Sequence, residues 1–413
     1  MWTTVIWITA GLSTLHWLGV WLFGSRLWRE LREAPVPLAS SAFGPITILA
    51  PVKGIDPDFK ATLDSLLHQD VCVPYDIIFA LGTDADPAHG LIASEVAAAE
   101  GAGTMKARRV LRVNAGLCHD RGQKVHNLTA GLAHLSADTR ALCFIDSDAR
   151  PPRHWIAAMT APLHEVGTAA ATGFRWYLPE HGGSVMAFAC LWNAYALGIV
   201  ARRGKNFAWG GSMAIRRDVF DQCQVVDRYW KSSVSDDGGL TRALHDAHLN
   251  IRFVPSCLLP SLQDLKARDL WEFMSRQFVI TRFYLPHIFR IGLISSVIDV
   301  CGFWGALLYV LRALTAGQLP LGLITLIFLS LLSMNRLGHI RYVGSQALFP
   351  DHLEAVSRTR MMLLWGGPLV PLINLITLLT ALTRRTIVWR KIRYTFERTG
   401  TLKIEHPSET SVP

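Results

Sequence analysis

The stretch Ala141-Leu-Cys-Phe-Ile-Asp-Ser-Asp148 decides the fold, because an apolar run leads directly into two carboxylates. The turn signal Arg150-Pro151-Pro152 follows at once. Buried parallel strands are short apolar runs closed by turn signals, and ligands of open α/β sheets bind beyond the carboxyl ends of such strands. In an extended segment, Asp146 and Asp148 point to the same side, about 6–7 Å apart. The stretch therefore predicts a core strand of an α/β domain with two converging carboxylates at its end.

Two carboxylates that converge on one point repel each other unless a cation neutralises them. Mg²⁺ or Mn²⁺ shared with a diphosphate is the usual cation, since it takes one or two carboxylates together with phosphate oxygens. Asp146 and Asp148 are therefore candidate metal ligands. An acidic turn after a core strand is the alternative, because Asp-x-Asp by itself is a common pattern.

Strand and helix patterns alternate before this stretch. Residues 46–50, 75–81 and 110–113 have the composition of strands, and residues 58–69 and 88–100 have that of helices. Alternation of this kind predicts a parallel sheet with right-handed crossovers. The sequence contains neither the glycine-rich dinucleotide fingerprint nor the Walker loop. Any nucleotide bound at the carboxyl edge of the sheet must therefore be held in another way.

Half of the 413 residues are hydrophobic, which allows membrane spans beside an α/β domain. Residues 1–24 predict an N-terminal transmembrane anchor, because the segment can cross a bilayer of about 30 Å and lacks the basic start of a signal peptide. A linker at 35–45 precedes a soluble domain at 46–290. We expect a transmembrane hairpin at 291–334 and a transmembrane or re-entrant segment at 361–382.

Lys and Arg outnumber Asp and Glu by 41 to 32, which gives a net charge of +9. The basic residues flank the apolar segments instead of forming one long soluble patch, which argues against nucleic acid and for contact with a lipid bilayer. The seven cysteines have no zinc-binding spacing and are typical of reduced thiols in the cytoplasm. We therefore expect an integral protein of a bacterial inner (plasma) membrane, with the soluble domain and a basic tail (383–413) in the cytoplasm.

The number of apolar segments conflicts with the charge of this tail. With the N-terminus outside, a full span at 361–382 would leave the tail outside, yet its basic residues lie at 384, 385, 390, 391, 393 and 398. Such clusters stay in the cytoplasm. Gly366-Gly367-Pro368 and Pro371 interrupt the segment, as happens where helices kink or re-enter. We predict that the segment enters the membrane from the cytoplasmic face and returns to it.

Four motifs occur in an order and spacing that resemble the family 2-type inverting glycosyltransferases, and most closely the ceramide glucosyltransferase branch, family 21. They are Pro51-Val-Lys-Gly54, Asp84-Ala-Asp86-Pro87, Gln123-Lys124-Val-His-Asn127-Leu and Asp146-Ser-Asp148. The resemblance covers roughly residues 46–290. It implies an α/β domain of glycosyltransferase type A (GT-A) with flanking transmembrane helices, and a UDP-sugar as donor.

The resemblance assigns the donor side of the site. Asp86, with Asp84 before it, matches the aspartate that contacts uracil and ribose, and an Asp-Pro turn is the alternative. Lys124 at the start of a helix favours the diphosphate, with Asn127 as a weaker companion. An isolated lysine would merely be solvated. Asp146 is expected to contact the nucleotide sugar as well as the metal.

The resemblance also assigns the reacting side. Asp237 matches the general base, which takes the proton of the acceptor hydroxyl as the anomeric carbon is attacked from the opposite face. Asp236 is placed on the acceptor side, with an N-cap of the following helix as the alternative. Trp209, Gly210 and Gly211 fit the acceptor-side loop, where glycines allow close approach to the backbone. Packing of Trp209 alone is the other possibility.

A last motif departs from the family pattern. Arg276-Gln277 lies where the family carries Arg/Gln-x-x-Arg-Trp and is expected to contact the nucleotide sugar, but the Arg-Trp pair is missing here. Arg282 is a candidate to replace the lost charge. The departure puts in doubt the acceptor's identity and any role as a polymer synthase.

The function expected from the sequence is transfer of a sugar from a UDP-sugar to the hydroxyl of a membrane lipid such as ceramide, diacylglycerol or a hopanoid. A processive polysaccharide synthase is the alternative enzyme, although three or four spans are few for a channel. A non-catalytic scaffold that binds sugar nucleotides is the alternative from another class, and the intact acidic motifs argue against it.

Overall fold

A computed structural model describes residues 2–200, 206–397 and 401–406, apart from the side chains of 199 and 200. The chain divides into two compact units. The helical unit comprises the described residues within 1–33, 176–198 and 262–384. The sheet unit comprises those within 34–175, 199–261 and 385–413.

The sheet unit contains a seven-stranded sheet with the order β3-β2-β1-β4-β6-β5-β7. Its strands are, in chain order, β1 (Ile46–Val52), β2 (Tyr75–Leu81), β3 (Arg109–Asn114), β4 (Ala141–Ile145), β5 (Thr168–Pro179), β6 (Ser212–Arg216) and β7 (Asn250–Gln263). Every residue of β1, β2 and β4 is buried. These apolar runs therefore form the centre of the core, as expected for strands covered on both faces.

The predicted parallel sheet is confirmed for the four strands on which the prediction was based, whereas β6, for which the sequence made no prediction, is antiparallel. β1 pairs in parallel with β2 and β4, and β2 pairs in parallel with β3. β6 is antiparallel to both β4 and β5. An antiparallel neighbour places its first residue beside the last residue of β4, so Ser212 pairs with Ile145. The start of β6 therefore lies at the carboxyl edge where the ligand site of an α/β sheet is expected.

The helices of both units are listed here in chain order: α1 (Trp2–Glu33), α2 (Phe59–Leu67), α3 (Ala88–Gly101), α4 (Gln123–Leu132), α5 (Trp155–Thr160), α6 (Ser184–Val200), α7 (Arg217–Gln222), α8 (Asp236–Asp246), α9 (Ala267–Tyr284), α10 (Pro286–Asp299), α11 (Ala306–Thr315), α12 (Leu321–Leu348), α13 (Leu353–Trp365) and α14 (Leu369–Thr383). A π-helical turn, Val300–Gly305, joins α10 to α11. In the sheet unit, α4 packs against β1 and β2, and Asn127, in the first half of α4, donates to the carbonyl oxygen of Ala80 near the carboxyl end of β2.

A second sheet forms within the segment that the sequence predicts to be a basic tail. β8 (Thr386–Trp389), β9 (Ile392–Phe396) and β10 (Leu402–Glu405) pair in antiparallel fashion. Along β9 the buried residues Ile392, Tyr394 and Phe396 alternate with exposed Arg393 and half-buried Thr395, and this pattern of period two was obscured by the high net charge of the segment. Residues 386–405 thus contain a folded element of the sheet unit, whereas Arg398 and residues 407–413 lie outside the described residues.

The helical unit contains three helices that are long and apolar enough to cross a membrane: Trp2–Glu33, Pro286–Thr315 and Leu321–Leu348. A fourth candidate is a bent pair, Pro350–Trp365 with Leu369–Thr383, whose axes differ in direction by 85°. The bend falls at the interruption predicted from Gly366-Gly367-Pro368. The apolar segment 361–382 is therefore not one straight helix.

Small residues bring the helices of this unit together. A Cβ atom on Gly338 of α12 would lie 1.9 Å from the carbonyl oxygen of Leu363 on α13. A Cβ on Gly24 of α1 would lie 2.4 Å from the side chain of Leu337. Contacts as close as these are typical of helices that pack in a membrane, where glycine lets two backbones approach.

Candidate active site

Lys124 forms the centre of the candidate site. It lies in the first turn of α4, and its ammonium group is 2.7 Å from Asp146 Oδ1 and 3.0 Å from Asp236 Oδ1. It also donates a hydrogen bond of 3.2 Å to the carbonyl oxygen of Gly210. Three segments that are far apart in the chain, after β4, before β6 and at the start of α8, are thus joined by one cation. The structure brings together four of the residues that the sequence predicts for the site.

Burial and the neighbouring charges shift the pKa values of the groups in this cluster. Burial alone would lower the pKa of Lys124, but the surrounding carboxylates, Asp146 first, raise it above its ordinary value. Burial raises the pKa of Asp146 and raises that of Asp236 to about 6, although Lys124 opposes both shifts. One oxygen of Asp236, Oδ2, is buried without a hydrogen-bond partner among the described residues. The cluster therefore holds carboxylates that stay charged mainly because the lysine is there.

Asp237 is held differently from Asp236. It is half-buried, and its Oδ2 accepts a hydrogen bond of 3.0 Å from the Gly210 amide. Its Oδ1 accepts from the Gly238 amide at 2.7 Å and from the Ser235 hydroxyl. The N-cap of α8 is Ser235, whose side chain accepts from Gly238 N at 2.9 Å, so the alternative of Asp236 as the cap is wrong. Asp237 is left oriented and partly accessible, as a general base must be.

The Trp209-Gly210-Gly211 loop closes around this cluster because its glycines lack side chains. A Cβ on Gly210 would lie 2.7 Å from Asp236 Oδ2 and 2.8 Å from Lys124 Nζ. A Cβ on Gly211 would lie 2.1 Å from the Trp209 ring. The Trp209 amide donates to Thr172 Oγ1 at 2.9 Å, which fixes the loop on β5. Any side chain at Gly210 would displace the ion pairs.

Asp146 and Asp148 follow β4 in a turn, because the strand ends at Ile145. The expectation of one extended segment through both residues is therefore wrong. Asp146 faces Lys124, whereas Asp148 accepts two hydrogen bonds from the Arg175 guanidinium, at 2.7 and 3.0 Å. Burial would raise the pKa of Asp148, but Arg175 and, more weakly, Arg390 and Lys124 lower it.

The donor atoms of Asp146 and Asp148 fit a divalent cation. Both residues offer carboxylate oxygens, which are the ligands that Mg²⁺ and Mn²⁺ prefer. Two protein ligands suffice for such a cation when phosphate oxygens and water complete its shell. Asp148 has 38% of its side chain exposed, so a cation would have access to it from solvent.

The two aspartates predicted for the nucleoside lie after β2. Asp86 accepts hydrogen bonds from the Gly54 amide, at 2.9 and 3.1 Å, and from the Ala88 amide at 3.0 Å. Gly54 has a φ of +70°, which a residue with a side chain rarely adopts. Asp84 is exposed and lines an open depression with Arg112 and Asn114. Asp86 thus ties the loop after β1 to the loop after β2, and the contacts of both aspartates with a nucleotide stay predictions.

Asn127 is buried within α4, away from the charged cluster. Its amide nitrogen donates to the Ala80 carbonyl at 3.1 Å, and its oxygen accepts from Gln123 Nε2 at 2.8 Å. Both ends of the side chain are therefore engaged with the protein. These contacts give Asn127 a structural role in holding α4 to β2, and its predicted contact with the nucleotide stays a prediction.

Arg276 and Gln277 lie on α9 in the helical unit. The Arg276 guanidinium is 5.4 Å from the centre of the Phe273 ring. Arg282, the candidate for the missing charge, donates to the carbonyl oxygens of Ala381 and Leu382 at the end of α14. Arg282 therefore stabilises a helix C-terminus, where a cation is favourable. The contact of Arg276 and Gln277 with the donor stays a prediction.

Two residues near the acidic motif were missed in the sequence. Arg175, which binds Asp148, lies on β5, and its guanidinium also lies 5.4 Å from the centre of the Trp209 ring. A charged residue inside a buried apolar strand was the available signal. Asp56 accepts a hydrogen bond of 2.6 Å from Ser147, the residue between the two aspartates. No pattern in the sequence pointed to Asp56.

The model of glycosyl transferase family 21 matches residues 11–402. The chain belongs to this family. The family assignment agrees with the motifs around Lys124, and it confirms the resemblance drawn from them. This family 21 chain is therefore a glycosyltransferase, and it has the mixed α/β sheet with accompanying apolar helices that the resemblance implies.

Solved structures of glycosyltransferases are also similar to the family 21 chain. The mannosyltransferase PcManGT from Pyrobaculum calidifontis, in complex with GDP-Man and Mn²⁺, is 13% identical over 91% of this chain and 97% of that one, with a TM-score of 0.46. Glucosyl-3-phosphoglycerate synthase from Mycobacterium tuberculosis, in complex with Mn²⁺, UDP and phosphoglyceric acid, is 18% identical over 58% and 75%, with a TM-score of 0.37. No curated protein matches the chain. At TM-scores this low, the family assignment rests on the family model alone.

Proposed function

We propose that this protein transfers a sugar, with inversion, from a UDP-sugar to the hydroxyl group of a membrane lipid. The observation that carries the proposal is the convergence on Lys124 of Asp146, Asp236 and the Gly210 loop, with Asp237 bound to the same loop. A donor-binding carboxylate and a candidate base are thus held within one cluster. Ceramide, diacylglycerol and hopanoids are acceptors of the expected chemistry.

Asp237 acts as the general base in this proposal. Its carboxylate is oriented by the Gly210 and Gly238 amides and by Ser235, and it is more accessible than Asp236. It takes the proton of the acceptor hydroxyl while that oxygen attacks the anomeric carbon from the face opposite the leaving diphosphate. Asp236 is buried against Lys124 and positions the lysine instead of taking the proton.

The donor diphosphate is held by positive charge at the carboxyl edge of the sheet. Lys124 lies in the first turn of α4, where backbone amides and the helix dipole also favour an anion. Asp146 and Asp148 would hold Mg²⁺ or Mn²⁺, which supplies neutralisation of the leaving diphosphate when bound. Asp84 and Asp86 contact the uridine in this proposal, and Trp209 lies on the acceptor side.

The apolar helices support a lipid acceptor. Three helices can cross a bilayer, and a membrane enzyme meets a lipid hydroxyl where it emerges at the surface. A polysaccharide synthase needs enough spans to line a channel, and three or four are few. The proposed protein lies in a bacterial inner membrane with its catalytic domain, 46–290, in the cytoplasm. Its proposed membrane segments are an anchor at 1–24, a hairpin at 291–334 and a transmembrane or re-entrant segment at 361–382.

The carboxyl-terminal sheet supports the re-entrant model of the bent pair. Arg390 pairs with Asp56, and the Gln123 amide donates to Tyr394 OH at 3.2 Å, so residues 386–396 fold on the catalytic domain itself. A segment bound to that domain lies on the same side of the membrane. Between residues 262 and 385 the chain must therefore cross an even number of times, which the two long helices satisfy if the bent pair returns.

The topology is tested with Glu405→Cys in intact cells and a membrane-impermeant thiol reagent, read on the peptide that contains residue 405. We expect no labelling until the membrane is permeabilised. Ready labelling in intact cells would show that the bent pair crosses the membrane.

The function is tested by incubating the purified protein in detergent with several UDP-sugars and a lipid extract, followed by mass spectrometry. We expect a product whose mass equals one lipid plus one hexose. A long polymer would favour the polysaccharide synthase, and the absence of any product with every donor would favour the binding scaffold. The Asp237→Asn protein serves as the control for chemistry that does not depend on the site.

A further inference from the structure

The hairpin between β8 and β9 ends in an unusual turn. Trp389 pairs with Ile392, so Arg390 and Lys391 form a two-residue loop. Both have a positive φ, 47° for Arg390 and 68° for Lys391. Tight hairpin turns with positive φ at both central residues favour Asn-Gly, because asparagine and glycine tolerate this conformation.

Two long basic side chains are costly at these positions. The left-handed conformation costs a residue with a Cβ atom roughly 1–2 kcal/mol. Folding of the hairpin alone would be served better by Asn-Gly. Backbone strain that local folding does not require is typical of functional sites. We therefore expect the basic side chains of Arg390 and Lys391 to have a function at the hairpin tip, the two-residue loop that they form.

The tip lies against the carboxyl end of β1. The Arg390 guanidinium is 3.1 Å from both carboxylate oxygens of Asp56 and donates to the Lys53 carbonyl at 2.8 Å. Lys53 Nζ in turn donates to the Arg390 carbonyl at 2.9 Å. Asp56 accepts from Ser147 at 2.6 Å, inside the Asp146-Ser147-Asp148 motif. The hairpin tip is thus joined through one carboxylate to the segment that carries the candidate metal ligands.

Positive charge accumulates here. Lys53, Arg390 and Lys391 lie together, and burial followed by the charge of Arg390 lowers the pKa of Lys53. Lys391 is exposed, and its ammonium group forms no ion pair or hydrogen bond with another side chain among the described residues. Asp56 and Asp86 offset part of this charge. An anion bound beside the hairpin tip would neutralise the positive charge that these two carboxylates leave.

We propose that the hairpin tip, through Arg390 and Lys391 together with Lys53, binds the diphosphate of the nucleotide-sugar donor. The inference deepens the proposed function and rests on it. A nucleoside diphosphate fits because the tip is bound to the turn after β1 and, through Asp56, to the acidic motif, where a metal-bound diphosphate would lie. The carboxyl-terminal segment then contributes to donor binding as well as to the fold.

The decisive variant combines Arg390→Asn with Lys391→Gly in the full-length protein in detergent. It removes both basic side chains and supplies the residues that suit the turn, so the hairpin keeps its fold. We expect the affinity for UDP, measured by calorimetry with saturating Mg²⁺, to fall about ten- to hundredfold, as for loss of charge-assisted hydrogen bonds. The affinity for uridine, which lacks phosphate, should change less than twofold. The melting temperature should stay level or rise.

Lys403→Ala is the matched control, because Lys403 lies on β10 of the same sheet and pairs with Glu405. It should bind UDP like wild type, and Arg390→Lys should bind with an intermediate affinity. Unchanged UDP affinity in the double variant would overturn the inference while leaving the proposed function intact. An equal loss of affinity for uridine would overturn it as well, and so would a double variant that keeps its UDP affinity and loses only binding to vesicles of anionic lipid, measured by co-sedimentation. A wild-type protein that binds no UDP would reject the proposed donor, and the inference with it.

Discussion

The sheet unit and the helical unit bury polar groups in opposite ways. The sheet unit concentrates full charges, with Lys124 between Asp146 and Asp236. The helical unit buries mostly hydroxyl groups, which bind carbonyl oxygens of their own helix, as Ser333 and Ser345 do at 2.8 and 2.7 Å. Arg341 and Asp299 are exceptions: the Arg341 guanidinium lies 3.9 Å from the centre of the Tyr195 ring, and the buried Asp299 carboxylate accepts a hydrogen bond of 2.9 Å from Ser13 and lies 2.9 Å from His16 Nδ1.

This difference separates chemistry from packing. Hydroxyl groups satisfied within one helix leave an apolar surface, which suits a bilayer. A cluster of opposite charges is costly to bury and is weak evidence for stability, so its position at the carboxyl end of β4 indicates a function. Substitutions in the two units should therefore fail in different ways: loss of activity in one, and loss of stability alone in the other.

Removal of the divalent cation should have the largest effect on activity. EDTA should abolish activity, and added Mg²⁺ or Mn²⁺ should restore it, because the cation neutralises the leaving diphosphate. Activity is measured as product formed from a UDP-sugar and a lipid extract. Full activity in chelator, with no metal found in the protein, would remove Asp146 and Asp148 from this role.

Lys124→Met should be the most damaging substitution for stability. It leaves buried Asp236 and partly buried Asp146 without their cation, which costs about 3–5 kcal/mol. Unfolding in detergent is the measurement, and activity should be lost as well. The matched control is Lys106→Met, because the Lys106–Asp70 pair is half-exposed and worth only about 0–1 kcal/mol. Equal effects of the two substitutions would show that the cluster is solvated and not a buried centre.

Asp236 should make stability depend on pH. Its pKa is about 6 in the folded protein and ordinary when unfolded, so the folded state holds an extra proton between these values. The contribution of Asp236 to the free energy of unfolding therefore falls as pH rises from about 4 to about 6. Asp236→Asn should show a flatter profile of melting temperature over this window. Asp246→Asn, on the exposed face of the same helix, should keep the wild-type slope. Parallel profiles of melting temperature against pH for wild type and both variants would contradict the raised pKa of Asp236.

Gly338→Ala should have the smallest effect and should affect packing only. The new Cβ meets the Leu363 carbonyl, so α12 and α13 must separate, at a cost of about 1–3 kcal/mol. Gly19→Ala is the control, since nothing lies within 4 Å of its added Cβ and alanine favours a helix. The melting temperature should fall for Gly338→Ala alone, with turnover per folded molecule unchanged. A matching fall in turnover would link this helix contact to the chemistry.

Local patterns were sufficient to predict several of the residues that the structure brings together at the candidate site. Asp146, Lys124 and Asp237 lie in short motifs at strand ends and helix starts, where the carboxyl edge of a sheet brings them together. The family assignment confirms the resemblance drawn from these motifs. The helix and strand pattern likewise predicted the parallel half of the sheet.

The remaining features depend on contacts between distant residues. Arg175 binds Asp148 from 27 residues away, and Arg390 reaches Asp56 across 334 residues. The antiparallel direction of β6 is set by pairing with β4 and β5, which a local pattern does not encode. The small sheet at 386–405 was hidden because basic residues on its exposed face resemble a charged tail. Pairings of this kind are specified by the folded core and not by sequence spacing.

The most direct test of the central claim compares Asp237→Asn with Asp246→Asn, two substitutions on the same helix. The assignment of Asp237 as general base predicts that turnover of Asp237→Asn falls by about 10²–10⁴-fold, while UDP affinity and melting temperature stay near those of wild type. Asp246→Asn should keep full turnover, because its carboxylate is exposed and binds Tyr229. Turnover of Asp237→Asn within threefold of wild type would contradict the account.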